Sequence, residues 1–139
     1  MSHGHDHLLS PRLMKAYLDR VTAPELEKIG ITPSSSTFLI EILHHEGISL
    51  KELSELLLVD KAHTTRMVNK LIEAGLVENK AEGHQYSLRL TESGREVTIK
   101  AVEINSDATN QLYKDLTPEE MESLRAISAK VYAVLRKVE

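Results

Sequence analysis

Residues 49–90 read SLKELSELLLVDKAHTTRMVNKLIEAGLVENKAEGHQYSLRL, and this stretch decides the fold. Ser49 and Glu52 stand at capping-box spacing, where a hydroxyl answers one orphan N–H of a helix's first turn and a carboxylate answers another. Leu53, Leu56 and Leu57 form a short apolar stripe behind them, which predicts a helix over 49–57. After a three-residue turn, Asp60 caps a second helix over 60–75, whose inward positions Thr64, Met67, Val68 and Leu71 keep the helical period. Leu76-Val77-Glu78-Asn79-Lys80 then leads into a polar turn containing Gly83. Beyond it Tyr86, Leu88 and Leu90 alternate with Ser87 and Arg89, the period-two pattern of a half-buried strand. Two short helices followed by a two-stranded hairpin make a helix-turn-helix with a wing.

The chemistry of the second helix suits that shape. With Thr64, Met67, Val68 and Leu71 turned inward, Lys61, His63, Thr65, Arg66, Asn69 and Lys70 occupy the outward arc. These side chains carry positive charge and hydrogen-bonding groups able to reach phosphates and base edges. A helix N-terminus favours phosphate as well.

Further helix starts flank this stretch. Ser10-Pro11 and Thr32-Pro33 each place a capping residue before a proline at the first helical position. Thr22 with Glu25 and Thr117 with Glu120 repeat the capping-box spacing, and Thr91 is a further cap. The first helix is expected to break at Pro24, which gives five helices before the hairpin. Two longer helices follow it. Val97, Ala101, Ile104, Ala108, Leu112 and Leu116 recur every three or four residues, as do Met121, Leu124, Ile127, Val131, Val134 and Val138. One short domain rarely buries both stripes, so a partner chain is expected. The fold class is mainly α with a small β-hairpin wing. It forms one domain over 1–139, with dimerisation helices at 8–31 and 92–139 around a winged lobe at 32–91.

Composition bounds the function. The chain has 139 residues, 17 Lys+Arg against 21 Asp+Glu for a net charge of −4, and is 41% hydrophobic, ordinary for a folded globular domain. The longest aliphatic stretch, Leu56 to Val59, is far too short to cross a bilayer, and residues 1–10 lack a secretory pattern. No cysteine is present, which excludes a disulfide scaffold, a thiolate-held zinc and a thiol redox signal, and makes a cytoplasmic location the expectation. No Gly-rich phosphate loop, nucleophile elbow or HExxH pattern occurs. Ser34-Ser35-Ser36 fit a helix's first turn, so no enzyme activity and no cofactor are expected. The histidines offer a separate reading. His3, His5 and His7 with Asp6 alternate in a segment able to bind zinc, nickel or copper. With His44 and His45 they make a metal-responsive regulator the alternative, although no metal ligand is expected among the site residues. A winged helix with protein rather than DNA partners is another. For His44 and His45 the helix dipole already supplies a structural reason.

Residues 13–97 resemble the multiple-antibiotic-resistance regulator (MarR) family. The resemblance lies in the ordered set Gly30-Ile31-Thr32-Pro33, Leu53-Ser54-Glu55-Leu56-Leu57, Val59 to Leu71, Gly75-Leu76-Val77 and Leu90-Thr91-Glu92-Ser93-Gly94. It implies a homodimeric transcriptional regulator on double-stranded DNA, a repressor relieved by a small anionic or phenolic effector, with Tyr17 and Phe38 as candidate lining residues. The second helix would read the major groove of a pseudo-palindromic operator and the wing an adjacent minor groove. Position by position, Thr65 and Arg66 match the family's Thr-Arg pair, and Ser49 sits where a hydroxyl meets phosphate. The implied DNA-binding set is Ser49, Lys61, His63, Thr65, Arg66, Asn69, Lys70, Lys80, His84 and Arg89. Two departures stand out. The family's wing carries an Asp-Arg-Arg cluster, whereas this wing is shorter and has only Lys80, His84 and Arg89 as cationic substitutes. Residues 60–91 hold five Lys+Arg (61, 66, 70, 80, 89) against four Asp+Glu (60, 73, 78, 82), a net of +1, so sequence-independent affinity should be weak and salt-sensitive. Leu58 falls in the helix-helix turn where the family often has glycine, and a positive φ there would strain it.

Overall fold

The computed structural model describes residues 8–137. His3, His5, His7 and Val138 lie outside the described residues. The order of elements is α1 (Pro11–Lys28), α2 (Pro33–His44), α3 (Leu50–Leu57), α4 (Lys61–Glu73), β1 (Val77–Asn79), β2 (Leu88–Leu90), α5 (Glu92–Leu112) and α6 (Pro118–Leu135). It forms two compact units, one ending at Ala108 and the other starting at Thr109, with α5 running from the first into the second.

Local chemistry accounts for most boundaries. Thr32 Oγ1 accepts the Ser35 N–H at 3.1 Å, with Pro33 in the first turn of α2. Both arms of the Ser49–Glu52 box close, at 3.1 and 3.0 Å. The Thr117–Glu120 box does the same at the start of α6. Asp60 Oδ1 accepts the His63 N–H at 2.7 Å. At the far end of α4 the Leu76 N–H donates to Leu71 O and the Gly75 N–H to Ile72 O. Gly75 holds φ +78°, the left-handed residue such a helix stop requires.

The start of the first helix departs from expectation. Pro24 lies inside an unbroken α1, so four helices rather than five precede the hairpin. The Thr22–Glu25 box does not form. Thr22 is buried and its hydroxyl donates to Leu18 O at 2.8 Å, a bond made from within a helix. Proline removes the bond to the carbonyl four residues back and crowds that carbonyl, and the full burial of Leu26 two residues on offsets the cost. Ser10 precedes Pro11 as expected, but its side chain makes no capping bond.

The core of the first unit centres on α2, whose Phe38, Leu39 and Ile42 are buried among Leu50 and Leu53 of α3, Val68 and Leu71 of α4, Val77 of β1, and Leu88 and Leu90 of β2. The hairpin is antiparallel, with Val77 opposite Leu90 and Asn79 opposite Leu88. Leu88 and Leu90 are buried on either side of exposed Arg89, the alternation expected from sequence. Gly94 allows α5 to begin against the foot of the wing. A Cβ there would collide with the Leu76 carbonyl, far inside van der Waals contact. Thr91 caps α5 by accepting the Gly94 N–H at 2.9 Å while donating to Gly75 O at 2.6 Å.

In the second unit α6 buries none of its residues. Ile127, Val131, Tyr132, Val134 and Leu135 are all more than half exposed. No helix among the described residues is long and apolar enough to cross a membrane.

Candidate nucleic-acid interface

The junction of α3 and α4 is fixed from inside. Ser54 Oγ donates to Leu50 O and lies 2.9 Å from Thr64 Oγ1, while the Thr64 hydroxyl reaches Asp60 O at 3.0 Å. Both side chains are buried and no buried side-chain polar atom among the described residues lacks a partner. Such a satisfied polar pair fixes which residues of α4 face the core. Between the helices Leu58 adopts φ 57° and ψ 41°, the left-handed conformation, and is 85% exposed. The strain foreseen for a leucine at this turn is therefore present.

With Thr64, Val68 and Leu71 buried, a step of about 100° per residue puts Ala62, Arg66, Asn69 and Glu73 on the opposite ridge, with Lys70 beside it. Arg66, Asn69 and Lys70 are exposed, as is Lys61 on one flank. The other two candidates on α4 are less free. His63 is half-buried with its ring edge against Phe38, the centroids 5.9 Å apart. Thr65 donates its hydroxyl to Lys61 O at 2.8 Å. Met67 is half-buried beside Ser35. Ala62 was not among the sequence-derived candidates. Its spacing of four from Arg66 places it on that ridge, where a methyl group can meet a thymine methyl.

The candidates outside α4 scatter. Ser49 serves as the cap of α3, accepting the Glu52 N–H. In return the Ser49 N–H and then its hydroxyl, assisted by nearby His45, hold the Glu52 carboxyl below its ordinary range against a smaller desolvation effect. In the wing, Asn79 Oδ1 accepts the N–H groups of both Ala81 and Ser87 and so closes the loop. Lys80 Nζ lies 3.5 Å from Glu78 Oε1, which offsets part of its charge. His84 is exposed in the loop. Arg89 belongs to the base of the wing: its Nη2 would lie 3.5 Å from a Cβ on Gly47, so the guanidinium covers the connection between α2 and α3.

Of the aromatic residues considered for an effector, Phe38 is a core residue, and Tyr17 lies half-buried under the Arg20 guanidinium at 5.7 Å. His44 and His45 are exposed at the end of α2. Among the described residues no group of three or more His, Cys, Asp or Glu side chains comes together in a way that could hold a metal ion.

Two helices joined by a tight turn, the second with an exposed polar and cationic ridge, followed by a two-stranded wing, define a winged helix-turn-helix protein. Residues 29–85 match the sequence model of the MarR family. The chain is 33% identical over 102 residues to the HTH-type transcriptional regulator BilQ of Clostridioides difficile (strain CD3), covering 71% of this chain and 69% of that one. Among solved structures, a MarR protein from Peptoclostridium difficile superposes with a TM-score of 0.83 at 26% identity, covering 94% of this chain and 87% of that one. A mutant MarR from E. coli complexed with operator DNA gives 0.73 at 27% identity, over 86% and 89% of the two chains. This chain belongs to the MarR family of transcriptional regulators.

Proposed function

We propose that this chain is a homodimeric, sequence-specific DNA-binding regulator that acts in the cytoplasm as a repressor relieved by a small ligand. The exposed ridge of α4 carries the reading. Arg66 and Asn69, with Lys70 beside them, stand opposite a fully buried face, so the helix presents base-reading chemistry without giving up packing. Arg66 is the residue for a guanine edge and Asn69 for an adenine edge. Lys61, Lys70 and Lys80 serve phosphates, and the likeness to the operator-bound E. coli protein supports the same mode of docking.

Dimerisation is supported by α6. A helix whose Ile127, Val131 and Val134 are all exposed has apolar surface in search of a cover. A second copy of the chain would supply it, and a two-fold dimer would read half-sites about 10 bp apart. A small anionic or phenolic ligand would release DNA by changing the separation of the two copies of α4, the regulation that the family resemblance implies.

Selection of bound sequences from a random DNA pool at two salt concentrations, with the mass of the protein measured in parallel, tests the proposal. A pseudo-palindrome recovered by a particle of twice the chain mass is the expected result. A folded dimer that enriches nothing at the lower salt would overturn DNA recognition. A monomer that enriches a single half-site would overturn dimerisation alone.

A further inference from the structure

The second strand of the wing has two edges. Lys80 N–H donates to Ser87 O and Thr91 N–H to Leu76 O, which fixes the alternation of the antiparallel pair and turns the N–H groups of Leu88 and Leu90 away from β1. The Leu88 N–H meets Ile48 O at 2.9 Å, and the Gly47 N–H returns a bond to Leu88 O at 2.7 Å, so residues 47 and 48 line the outer edge of β2 like a fragment of a third strand. At Leu90 a side chain takes the place of that backbone. Glu46 Oε2 accepts the Leu90 N–H at 3.1 Å, while its Oε1 pairs with the Arg95 guanidinium on the first turns of α5. The Glu46 side chain is only 19% exposed and Leu90 is 5% exposed, so water is a poor substitute acceptor at this spot.

We infer that Glu46 is the positioning residue of the wing: one carboxylate ties the base of β2 and the start of α5 to the segment that follows α2, and so sets where the wing lies relative to α4. The inference rests on the DNA-binding reading in its affinity arm. It has an unusual sign. A carboxylate near a phosphate-binding surface should weaken DNA binding by its charge, so its removal should strengthen binding if charge were its only effect. A positioning role predicts the opposite.

Three variants separate these outcomes. Glu46→Ala leaves the Leu90 N–H unanswered and frees Arg95. Operator affinity should fall about tenfold at fixed salt, the scale of one lost side chain–backbone bond to a charged group. Glu46→Gln removes the charge but keeps an acceptor, and should restore most of that loss. Lys80→Ala should weaken binding in the wild-type background and have little further effect on Glu46→Ala, whose wing is already displaced. Amide exchange in the DNA-free protein supplies a readout independent of DNA. Glu78, Lys80 and residues 88–90, whose N–H groups face a strand partner or the outer edge of β2, should exchange about tenfold faster in Glu46→Ala while α2 and α4 keep their wild-type rates. Tighter binding by Glu46→Ala, additive losses with Lys80→Ala, or uniform acceleration of exchange across the lobe would each overturn the inference. If the wild-type protein selects no DNA, the DNA-binding reading fails by itself, and the exchange pattern still decides whether Glu46 holds the wing.

Discussion

The helix-turn-helix and the wing belong to one lobe but are held together by different means. In α3 and α4 nearly every constraint is local or buried: two capped starts, a glycine stop, a hydroxyl pair between the helices and an apolar face against α2. The wing has two strands of three residues, one asparagine closing its loop, and a base held by groups distant in sequence. Redundant short-range bonds make an element rigid. An element held by a few long-range ones can be moved by a single change at its base. The lobe therefore joins a fixed reading helix to a wing whose placement depends on its anchors.

The largest effect should come at the foot of the wing. Gly94→Ala drives a methyl group into the Leu76 carbonyl, and α5 must move away from the hairpin to relieve it. A loss of about 3 kcal/mol of stability is expected, at the upper end for overpacking, and denaturant unfolding would measure it. A loss below about 1 kcal/mol would show that the base of the wing yields easily, and the contrast between fixed helix and anchored wing would then be a weak one.

Arg66→Ala addresses the rigid side. Binding to the selected operator should weaken by about 1–3 kcal/mol with discrimination relaxed at one base position. Lys80→Ala should weaken all sequences alike and flatten the salt slope by about one. Titrations at several salt concentrations against operator and scrambled DNA distinguish the two. Equal, sequence-independent losses for both variants would mean that α4 contributes charge rather than readout.

The parts that the sequence made legible are those whose causes are local. The capping boxes at Ser49 and Thr117 and the caps at Thr32, Asp60 and Thr91 all form as their spacing predicts, because each needs only residues three apart. The burial alternation around Arg89 follows from strand geometry in the same way. Pro24 misled for the converse reason. Its local signal was sound, but the packing of Leu26 against the core outweighed one missing hydrogen bond. Arg89 and Glu46 illustrate a second limit. Nothing in the spacing of a cation on a strand says that it will cover Gly47, and a glutamate 44 residues from its donor leaves no periodic trace. Of the α4 candidates, exposure of Arg66, Asn69 and Lys70 was readable from the helical period. The contact of His63 with Phe38 required knowing where α2 lies.

Leu58 offers a smaller and opposite test. A leucine held at φ 57° in the turn between the two helices is strained, and its side chain gains nothing from burial. Leu58→Gly should stabilise the lobe by up to about 1 kcal/mol, the left-handed penalty less the entropy that glycine loses on folding. An increase in the unfolding midpoint without a change in operator preference would show that the turn restricts stability but not readout. A changed preference would instead mean that Leu58 itself governs the angle of α4, and the rigidity attributed to the buried hydroxyl pair would have to be shared with the turn.

The gentlest probe is acid, read at the cap of α3. The Ser49 N–H holds the Glu52 carboxyl below its ordinary value of 4.5, because the bond favours the charged form. A group whose folded value is depressed stabilises the fold fully above the unfolded value, and the contribution disappears as pH falls through the folded one. Stability of the wild-type lobe should therefore decline on acidification below about pH 4.5 by slightly more than that of Glu52→Gln, which keeps an acceptor for the Ser49 N–H but cannot titrate. The group lies at the surface, so the difference should be small and should shrink with added salt. Parallel acid titrations of the two proteins, followed by helix content, measure that difference. Equal declines in the two proteins would mean that the Ser49 N–H does not favour the charged carboxyl, and that the cap of α3 owes its hold to geometry alone.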